Sequence, residues 1–564
     1  MVGHERSRSS DVAHDFLPPT PPIQQHRRKS GKLMRAIISW GAYFVSNRYG
    51  TRSHRHLITN QSIDDDDDDD DGNEVVEDGK STLNLGSISN LCSATLGAGA
   101  LSLPYAISLT GIVLGTLLLL FSAFLTTVSI DVIISACVKT KLFKYEDVSQ
   151  QLVGRRATRL LEASILIFCF GSSVAYVSAV GDILDQGIHS IPILWKLDDD
   201  GTVGLFASMY SRNRITIFFW AVVMFPLSLK RDVSSLEPFS PLGVGSIIFL
   251  VLAGIIHAIF NSGEDTCNED SHVGPTDFRA MLWPDSTWNV IKAFPIIIFA
   301  FSCQPNVCSI YEELTPSYAP GGNDAAIEST MKEKQKIMRR IARNAMLLCV
   351  ILYLGIGISG YIDFKEDTVD NILNNYCVQT THDALMILAS AFVAVAVVVA
   401  FPFNILPARV TIKLILKRSR RKWRDCAPLR SQYSQIASAS SAEPHVDVDP
   451  GVANALLEFS ERTSNFSLEG LQPNYVESPP LEHLLLTLFL SGSALVVALL
   501  IPGISVVFGL MGGTAASIIC LVLPGMLLIE STEENGSSIM GNLMVRGGVI
   551  VMVVTTFVTI YGII

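Results

Sequence analysis

Two interrupted apolar segments are the parts of this sequence best suited to hold a small charged molecule. The first is SISNLCSATLGAGALSLPYA at 87–106, in which Gly97, Ala98 and Gly99 lie at the centre and Pro104 follows. Each glycine costs a helix ~1 kcal/mol relative to alanine, and a proline costs ~3 kcal/mol. A helix is therefore expected to break here. The N–H groups exposed where a half-helix begins, at the positive end of its dipole, suit a carboxylate.

The second interrupted segment is AFPIIIFAFSCQPNVCSIYEEL at 293–314, where Pro305 follows Ser302, Cys303 and Gln304. Interrupted spans at corresponding positions of two halves indicate a secondary transporter with inverted repeats and a binding site near the membrane midplane. The alternative is that the small residues form close-packing faces, because glycine and proline are common in membrane helices. The spacing of the two segments, five spans apart, favours the transporter.

The composition shows which elements must position these segments. Of the 564 residues, 49% are hydrophobic and 17% are charged, whereas a soluble domain has roughly 25% charged residues. The sequence therefore predicts an all-α polytopic membrane protein, whose spans lie in runs without Asp, Glu, Lys or Arg. Eleven spans fit into these runs, which are 81–130 with two spans, 163–181, 215–229, 238–263, 293–311, 344–362, 384–408, 484–529 with two spans, and 547–564.

The loops that follow even-numbered spans are basic, as at 413–424, and the intervening loops are acidic, as at 264–270. Because lysine and arginine favour the cytosolic side, the N-terminus is expected to be cytosolic. Two segments have the composition of unstructured chain: an acidic N-terminal tail at 1–80 and a cytosolic loop at 426–478 between spans 8 and 9. The predicted transporter domain is 81–564.

The sequence offers no support for other chemistries. Its ten cysteines form neither a CxxC pair nor a Cys/His metal spacing, so no metal and no cofactor are expected. It contains no nucleophile elbow and no phosphate-binding loop, which argues against an enzyme. The net charge of −11 comes mostly from the run Asp64–Asp71 and does not indicate nucleic-acid binding.

Six stretches, in this order, give the chain a family resemblance. They are NLCSATLGAGALSLPYA at 90–106, FPLSLKRDVSSL at 225–236, FAFSCQPNVCSIYEEL at 299–314, GISGYIDF at 357–364, FPFNILPAR at 401–409 and VFGLMGG at 507–513. With them the chain resembles the amino acid/auxin permease family, near its vacuolar amino acid transporters and its sodium-coupled neutral amino acid transporters. The resemblance implies a five-plus-five inverted repeat with helices 1 and 6 broken, plus one extra helix.

The resemblance also implies how a substrate is held. The amide groups of the span 1 break hold the substrate carboxylate, and the carbonyl groups of the span 6 break receive its ammonium group. This arrangement needs no ionised side chain, so the expected substrate is a neutral amino acid. The residues implied are Thr95, Leu96, Gly97, Ala98 and Gly99 in span 1, and Ala300, Phe301, Ser302 and Cys303 in span 6.

Ser93, Gln304 and His257 are the candidates for coupling transport to an ion. Sodium-coupled relatives have asparagine at the position of Ser93 and a hydroxyl on helix 8, whereas residues 391–401 contain no Ser or Thr. Gln304 replaces a histidine found in many relatives, so its role stays open. His257 lies in a charge-free run and suits proton coupling, although its place near the end of span 5 also fits an interfacial histidine. Other charged residues at span ends are expected at the interface: Asp131, Glu162, Asp182 and Lys292.

Two cysteines, Cys267 and Cys377, fall in loops predicted on the far side of the membrane, and the other eight fall in spans or on the cytosolic side. Members of the family that the chain resembles carry a far-side disulfide, so we expect these two to be bonded. The alternative is two free thiols in long loops.

The sequence thus predicts a proton-coupled secondary active transporter of neutral amino acids in a vacuolar or other endomembrane. One alternative is a sodium-coupled amino acid importer at the plasma membrane. Another is an amino acid sensor, in which the same site binds substrate and the N-terminal tail contacts a cytosolic partner.

Overall fold

Helices make up all the regular structure in the part of the chain that the computed structural model describes. That part comprises residues 86–189, 211–230, 240–260, 281–314, 324–376, 378, 383–440, 480–501, 503–531 and 539–562. We number the long apolar helices α1 to α11, following the predicted spans.

The first half of the numbered helices contains one interrupted helix. It consists of α1a (Gly86–Thr95) and α1b (Ala98–Thr110), α2 (Ile112–Thr140), α3 (Arg155–His189), α4 (Arg212–Phe219, continued by a π-helical turn at Trp220–Met224 and by Phe225–Ser228) and α5 (Ser240–Phe260).

The second half again begins with an interrupted helix. It consists of α6a (Thr287–Ala300) and α6b (Gln304–Leu314), α7 (Asp324–Phe364), α8 (Ala384–Ser440), α9 (Pro480–Leu500), α10 (Ile504–Ser531) and α11 (Ile539–Tyr561).

Among the described residues, nine helices are long and apolar enough to cross a membrane, and the bent pair α1a–α1b makes a tenth candidate. The remaining predicted span is α4, whose three consecutive pieces are each short. The prediction of an all-α polytopic membrane protein is therefore confirmed. The count of eleven crossings and the internal repeat remain predictions.

The interrupted helices lie inside the bundle. α1b packs against α6a and α7, and α7 also packs against α2 and α5, while α8 packs against α3 and α5. Large apolar side chains such as Phe489 and Phe557 are instead exposed on α9 and α11, as expected for surfaces that face lipid. The breaks are thus surrounded by protein, where irregular backbone can be tolerated at membrane depth.

Of the charged residues expected at the membrane interface, Glu162 is buried and Asp182 is partly buried, and each pairs with an arginine. The carboxylate of Glu162 accepts two hydrogen bonds from Arg418, at 2.6 and 2.9 Å. Asp182 accepts one from Arg212, at 2.7 Å. α3 extends beyond its charge-free run at each end, so neighbouring helices cover these carboxylates. Asp131 differs, since its side chain is exposed and pairs with Arg339. The depth of these residues relative to the membrane interface stays a prediction.

Several predictions fall wholly or partly outside the described residues. The tail at 1–80 does, as do Cys267 and Cys377, so their disulfide stays a prediction. α8 continues as helix to Ser440, into the first part of the segment predicted as a flexible loop at 426–478. The rest of that loop, beyond Ser440, is outside the described residues.

Close contact between α10 and α6a depends on the absence of a side chain at Gly512. A Cβ atom added there would overlap the carbonyl oxygen of Pro295. We predict that Gly512→Ala lowers the stability of the protein by ~1 to 3 kcal/mol, the usual cost of overpacking. Gly492→Ala on α9 is the matched control, because nothing lies within 4 Å of its added Cβ. Equal melting temperatures of the two variants in detergent would contradict this packing.

Candidate functional site

The break in α1 lies at the glycine that the sequence singled out. The last regular turn of α1a closes with Leu96 N donating to Cys92 O at 2.6 Å. Gly97 then adopts extended backbone, and the chain resumes as a 3₁₀ turn from Ala98 to Ser102 that leads into the rest of α1b. The axes of the two half-helices differ by 50°.

The break in α6 covers Phe301, Ser302 and Cys303, since α6a ends at Ala300 and α6b begins at Gln304. Pro305 is the second residue of α6b, where a missing backbone N–H is tolerated. The Ser302 hydroxyl donates to Ile298 O at 2.9 Å and so satisfies a carbonyl of its own half-helix. Both predicted breaks are thus present.

The two breaks meet each other. A Cβ atom at Gly99 would lie 3.0 Å from Ala300 Cα, so only a glycine allows the two backbones to approach this closely without displacement. Tyr353 on α7 joins the same two segments, because its hydroxyl oxygen is 2.8 Å from Thr95 O and 2.7 Å from Ala300 O. The structure therefore brings the span 1 and span 6 residues together around one tyrosine hydroxyl.

Gly97 is the most accessible part of this assembly. The other eight residues implied to bind substrate are buried, whereas Gly97 is half-buried. A Cβ atom at Gly97 would lie 2.9 Å from the hydroxyl oxygen of Tyr176 on α3. Asn404 on α8 is within hydrogen-bonding reach of that hydroxyl, and both side chains are half-buried. Polar groups from α3 and α8 thus lie next to Gly97 at the α1 break.

A short segment after α7 makes hydrogen bonds to three helices of the bundle. The Ser102 hydroxyl of α1b donates to Asp370 O at 2.6 Å, and the Asp370 carboxylate accepts from Ser505 N at 3.0 Å, in the first turn of α10. Asn371 donates to the Asp182 carboxylate of α3 at 3.0 Å. These bonds tie α1b, α3 and α10 together on the side predicted to face away from the cytosol.

Two of the coupling candidates lie in different surroundings. Ser93 faces Gly243 on α5, where an added Cβ would be 3.4 Å from its hydroxyl oxygen. Gln304 is fully buried at the start of α6b, with its amide oxygen accepting from the Cys520 thiol at 2.9 Å and its amide nitrogen 3.5 Å from the Ser129 hydroxyl. Gln304 therefore links α6b to α2 and α10.

The third coupling candidate, His257, forms a buried pair with Asp363 that is an ion pair when the imidazole is protonated. Its Nδ1 atom is 2.6 Å from a carboxylate oxygen of Asp363, and both side chains are almost entirely buried. The rings of Tyr376 and Phe364 pack against the imidazole, with centroids 4.9 and 6.3 Å away. His257 is thus covered by neighbouring side chains, and its depth in the membrane stays a prediction. Asp363 lies one residue beyond the charge-free run 344–362, on α7, which continues to Phe364.

Three residues at the site were missed by the sequence analysis: Tyr353, Tyr176 and Asn404. A signal for the tyrosines was present, because each lies in the middle of a charge-free run. A tyrosine hydroxyl buried in an apolar environment needs a hydrogen-bond partner, and a helix break is a source of such partners. Asp363 had no comparable signal, since its burial depends on how far α7 extends.

The fold and the two meeting breaks define a multi-pass membrane protein of the broken-helix class. The model of the family described as transmembrane amino acid transporter protein matches residues 81–320 and 317–564. The chain therefore belongs to this family of amino acid transporters, which confirms the resemblance and the prediction that the chain is not an enzyme.

The individual relatives have low sequence identity to this chain, but the matches cover most of its length. Vacuolar amino acid transporter 6 of Saccharomyces cerevisiae is 26% identical over 78% of this chain and 88% of its own length. Sodium-coupled neutral amino acid transporter 7 of Danio rerio is 24% identical over 85% of both chains. Human solute carrier family 38 member 10 is 23% identical over 85% of this chain, which spans only 35% of that longer protein.

The contact of Gly99 with Ala300 makes a sharp prediction for the site. Gly99→Val places a branched side chain against the α6a backbone and should lower amino acid uptake by roughly five- to 150-fold, the factor that corresponds to the ~1 to 3 kcal/mol cost of overpacking. Gly245→Val on α5 is the control, because nothing lies within 4 Å of its added Cβ. Uptake is measured in cells and divided by the amount of each variant in the plasma membrane or the vacuolar membrane. Full uptake by the Gly99 variant would mean that the two breaks need not meet.

Proposed function

We propose that the chain is a secondary active transporter of neutral amino acids, which bind between the breaks of α1 and α6. The observation that carries the proposal is the meeting of the two breaks, seen in the approach of Gly99 to Ala300 and in the Tyr353 bridge. Half-helix ends supply partial charges of both signs at such a place, which suits a zwitterion. The residues of both breaks carry no Asp, Glu, Lys or Arg, in keeping with a substrate without net charge.

The proposed ligand roles follow from backbone polarity. The N–H groups at the start of α1b, from Ala98 onward, face the substrate carboxylate, and the carbonyls at the end of α6a receive the ammonium. The Tyr176 hydroxyl, near Gly97, is placed to contact whatever enters the break. Alternating access would require the contacts of Asp370 and Asn371 to open on one side of the bundle.

We further propose that protons drive transport and that the protein works in a vacuolar or other endomembrane. Support for protons comes from the buried pair of His257 and Asp363, because ionisable residues inside membrane spans are functional candidates. The absence of Ser and Thr from 391–401 weakens a sodium site on α8. The yeast relatives, by name vacuolar amino acid transporters, favour the endomembrane.

Sodium coupling is the second candidate, because the Danio rerio relative is by name sodium-coupled. Uptake into proteoliposomes with separately imposed gradients distinguishes the two. We expect an inward proton gradient to raise uptake of a neutral amino acid several-fold over equal pH, and replacement of sodium by choline to change it little. The reverse pattern would establish sodium coupling. Saturable binding without flux under either gradient would identify a sensor and contradict transport.

The role of His257 has its own prediction. His257→Gln keeps a polar side chain of similar size but cannot carry the positive charge, so proton-driven accumulation should fall close to the level of equal pH. Exchange of internal for external substrate should continue, because substrate binding at the breaks does not use this pair. Asp131→Asn, which removes a carboxylate from an exposed ion pair, should behave as wild type. Equal loss of accumulation and exchange in the His257 variant would show a structural role only.

A further inference from the structure

The hydroxyl of Tyr353 lies where the carboxyl-terminal ends of two half-helices converge. Its oxygen is 2.8 Å from Thr95 O and 2.7 Å from Ala300 O. Thr95 is the last residue of α1a, and Ala300 is the last residue of α6a. A helix carboxyl terminus carries roughly half a negative elementary charge. Two such ends directed at one point favour a positive charge there over a neutral hydroxyl.

The donor that the structure provides at this point does not match the acceptors. A phenol has a single hydrogen and can complete only one strong hydrogen bond, whereas two carbonyl oxygens lie within reach, of which Thr95 O also accepts from Gly97 N at 2.9 Å. An ammonium group has three N–H donors, and a sodium ion is coordinated by several carbonyl oxygens. Either cation would satisfy both carbonyls better than the hydroxyl does.

Tyr353 is also held in place as a fixed part of the site. Its side chain is fully buried. The ring of Phe301, inside the α6 break, packs edge-on against it, with centroids 5.1 Å apart. The hydroxyl therefore has a defined position, next to residues of both breaks.

We propose that Tyr353 is an internal substitute for a compact cation. Its single hydroxyl hydrogen is shared between the Thr95 and Ala300 carbonyls while the site is empty, and the hydroxyl gives up these acceptors when the cation enters. The inference rests on the proposed substrate site and adds a positioning residue on α7 to it. The cation is either the α-ammonium group of an amino acid or a sodium ion, which share this chemistry.

The test is the melting temperature of the purified full chain, compared for wild type, Tyr353→Phe and Tyr361→Phe. Tyr361→Phe makes the same change further along α7, at a site away from both breaks. Each protein is measured in choline chloride alone, with a mixture of neutral L-amino acids, with the same amino acids N-acetylated, and with sodium chloride in place of choline.

Without ligand, Tyr353→Phe should melt a few degrees below wild type, because the Ala300 and Thr95 carbonyls lose the hydroxyl hydrogen that they share and Thr95 O keeps only its bond from Gly97 N. A ligand that supplies the cation should remove at least half of this difference in melting temperature. The ligand therefore raises the melting temperature of Tyr353→Phe more than that of wild type. If free amino acids reduce the difference in melting temperature and N-acetylated amino acids do not, the cation at the two carbonyls is the α-ammonium group. If sodium reduces the difference, the cation is the sodium ion. The control variant should show the wild-type shift.

Two results would overturn the inference. If no ligand changes the difference in melting temperature between wild type and Tyr353→Phe, the hydroxyl only joins the two breaks. If amino acids increase the difference, Tyr353 binds the substrate directly. Proteoliposome uptake separates this failure from failure of the transporter proposal. If uptake is driven by a gradient but the difference in melting temperature is the same with and without ligand, the transporter proposal stands and the role of Tyr353 fails. If ligand reduces the difference but no uptake occurs, the cation site stands and the transporter proposal fails.

Discussion

A backbone that leaves the helix inside a membrane finds no water to satisfy its N–H and C=O groups, and this constraint decides how α1 and α6 are built. The structure meets it by placing each break against the other and against side chains of neighbouring helices. Ser302 returns its hydroxyl to a carbonyl of its own half-helix, and Tyr353 reaches the carbonyls at the ends of both α1a and α6a. The polarity needed to bind a zwitterion is therefore made from backbone groups that must be satisfied in any case.

The helix that carries this bridge also carries one half of the buried ion pair. Tyr353 and Asp363 lie roughly 15 Å apart along α7, given the rise of a helix, and Asp363 contacts His257 on α5. α7 packs against α1b, α2 and α5, so a change in its position would be felt at the substrate site and at the ion pair together. A shared rigid helix is a physical route by which substrate occupancy and protonation can influence each other.

The sequence predicted the breaks to within a residue or two because glycine and proline act locally. Gly97 disfavours helix at its own position, whereas Pro305 is tolerated only in the first turn of a new helix, and the structure interrupts α1 and α6 beside them. The buried ion pairs were harder to predict. Span limits drawn from charge-free runs placed Glu162 and Asp363 outside the core, yet both lie on helices that extend past those runs and are covered by neighbours. Burial of a charge depends on a distant partner, such as Arg418 for Glu162, which spacing along the chain does not reveal.

The central claim is that an amino acid binds between the two breaks, and a cryo-electron microscopy map of the protein with a transported neutral amino acid tests it most directly. The account predicts density between Gly97 and Ala300, with the carboxylate toward the N–H groups at the start of α1b and the ammonium toward the end of α6a. Density for the amino acid at any other place in the bundle, with the breaks unchanged and empty, would contradict the account.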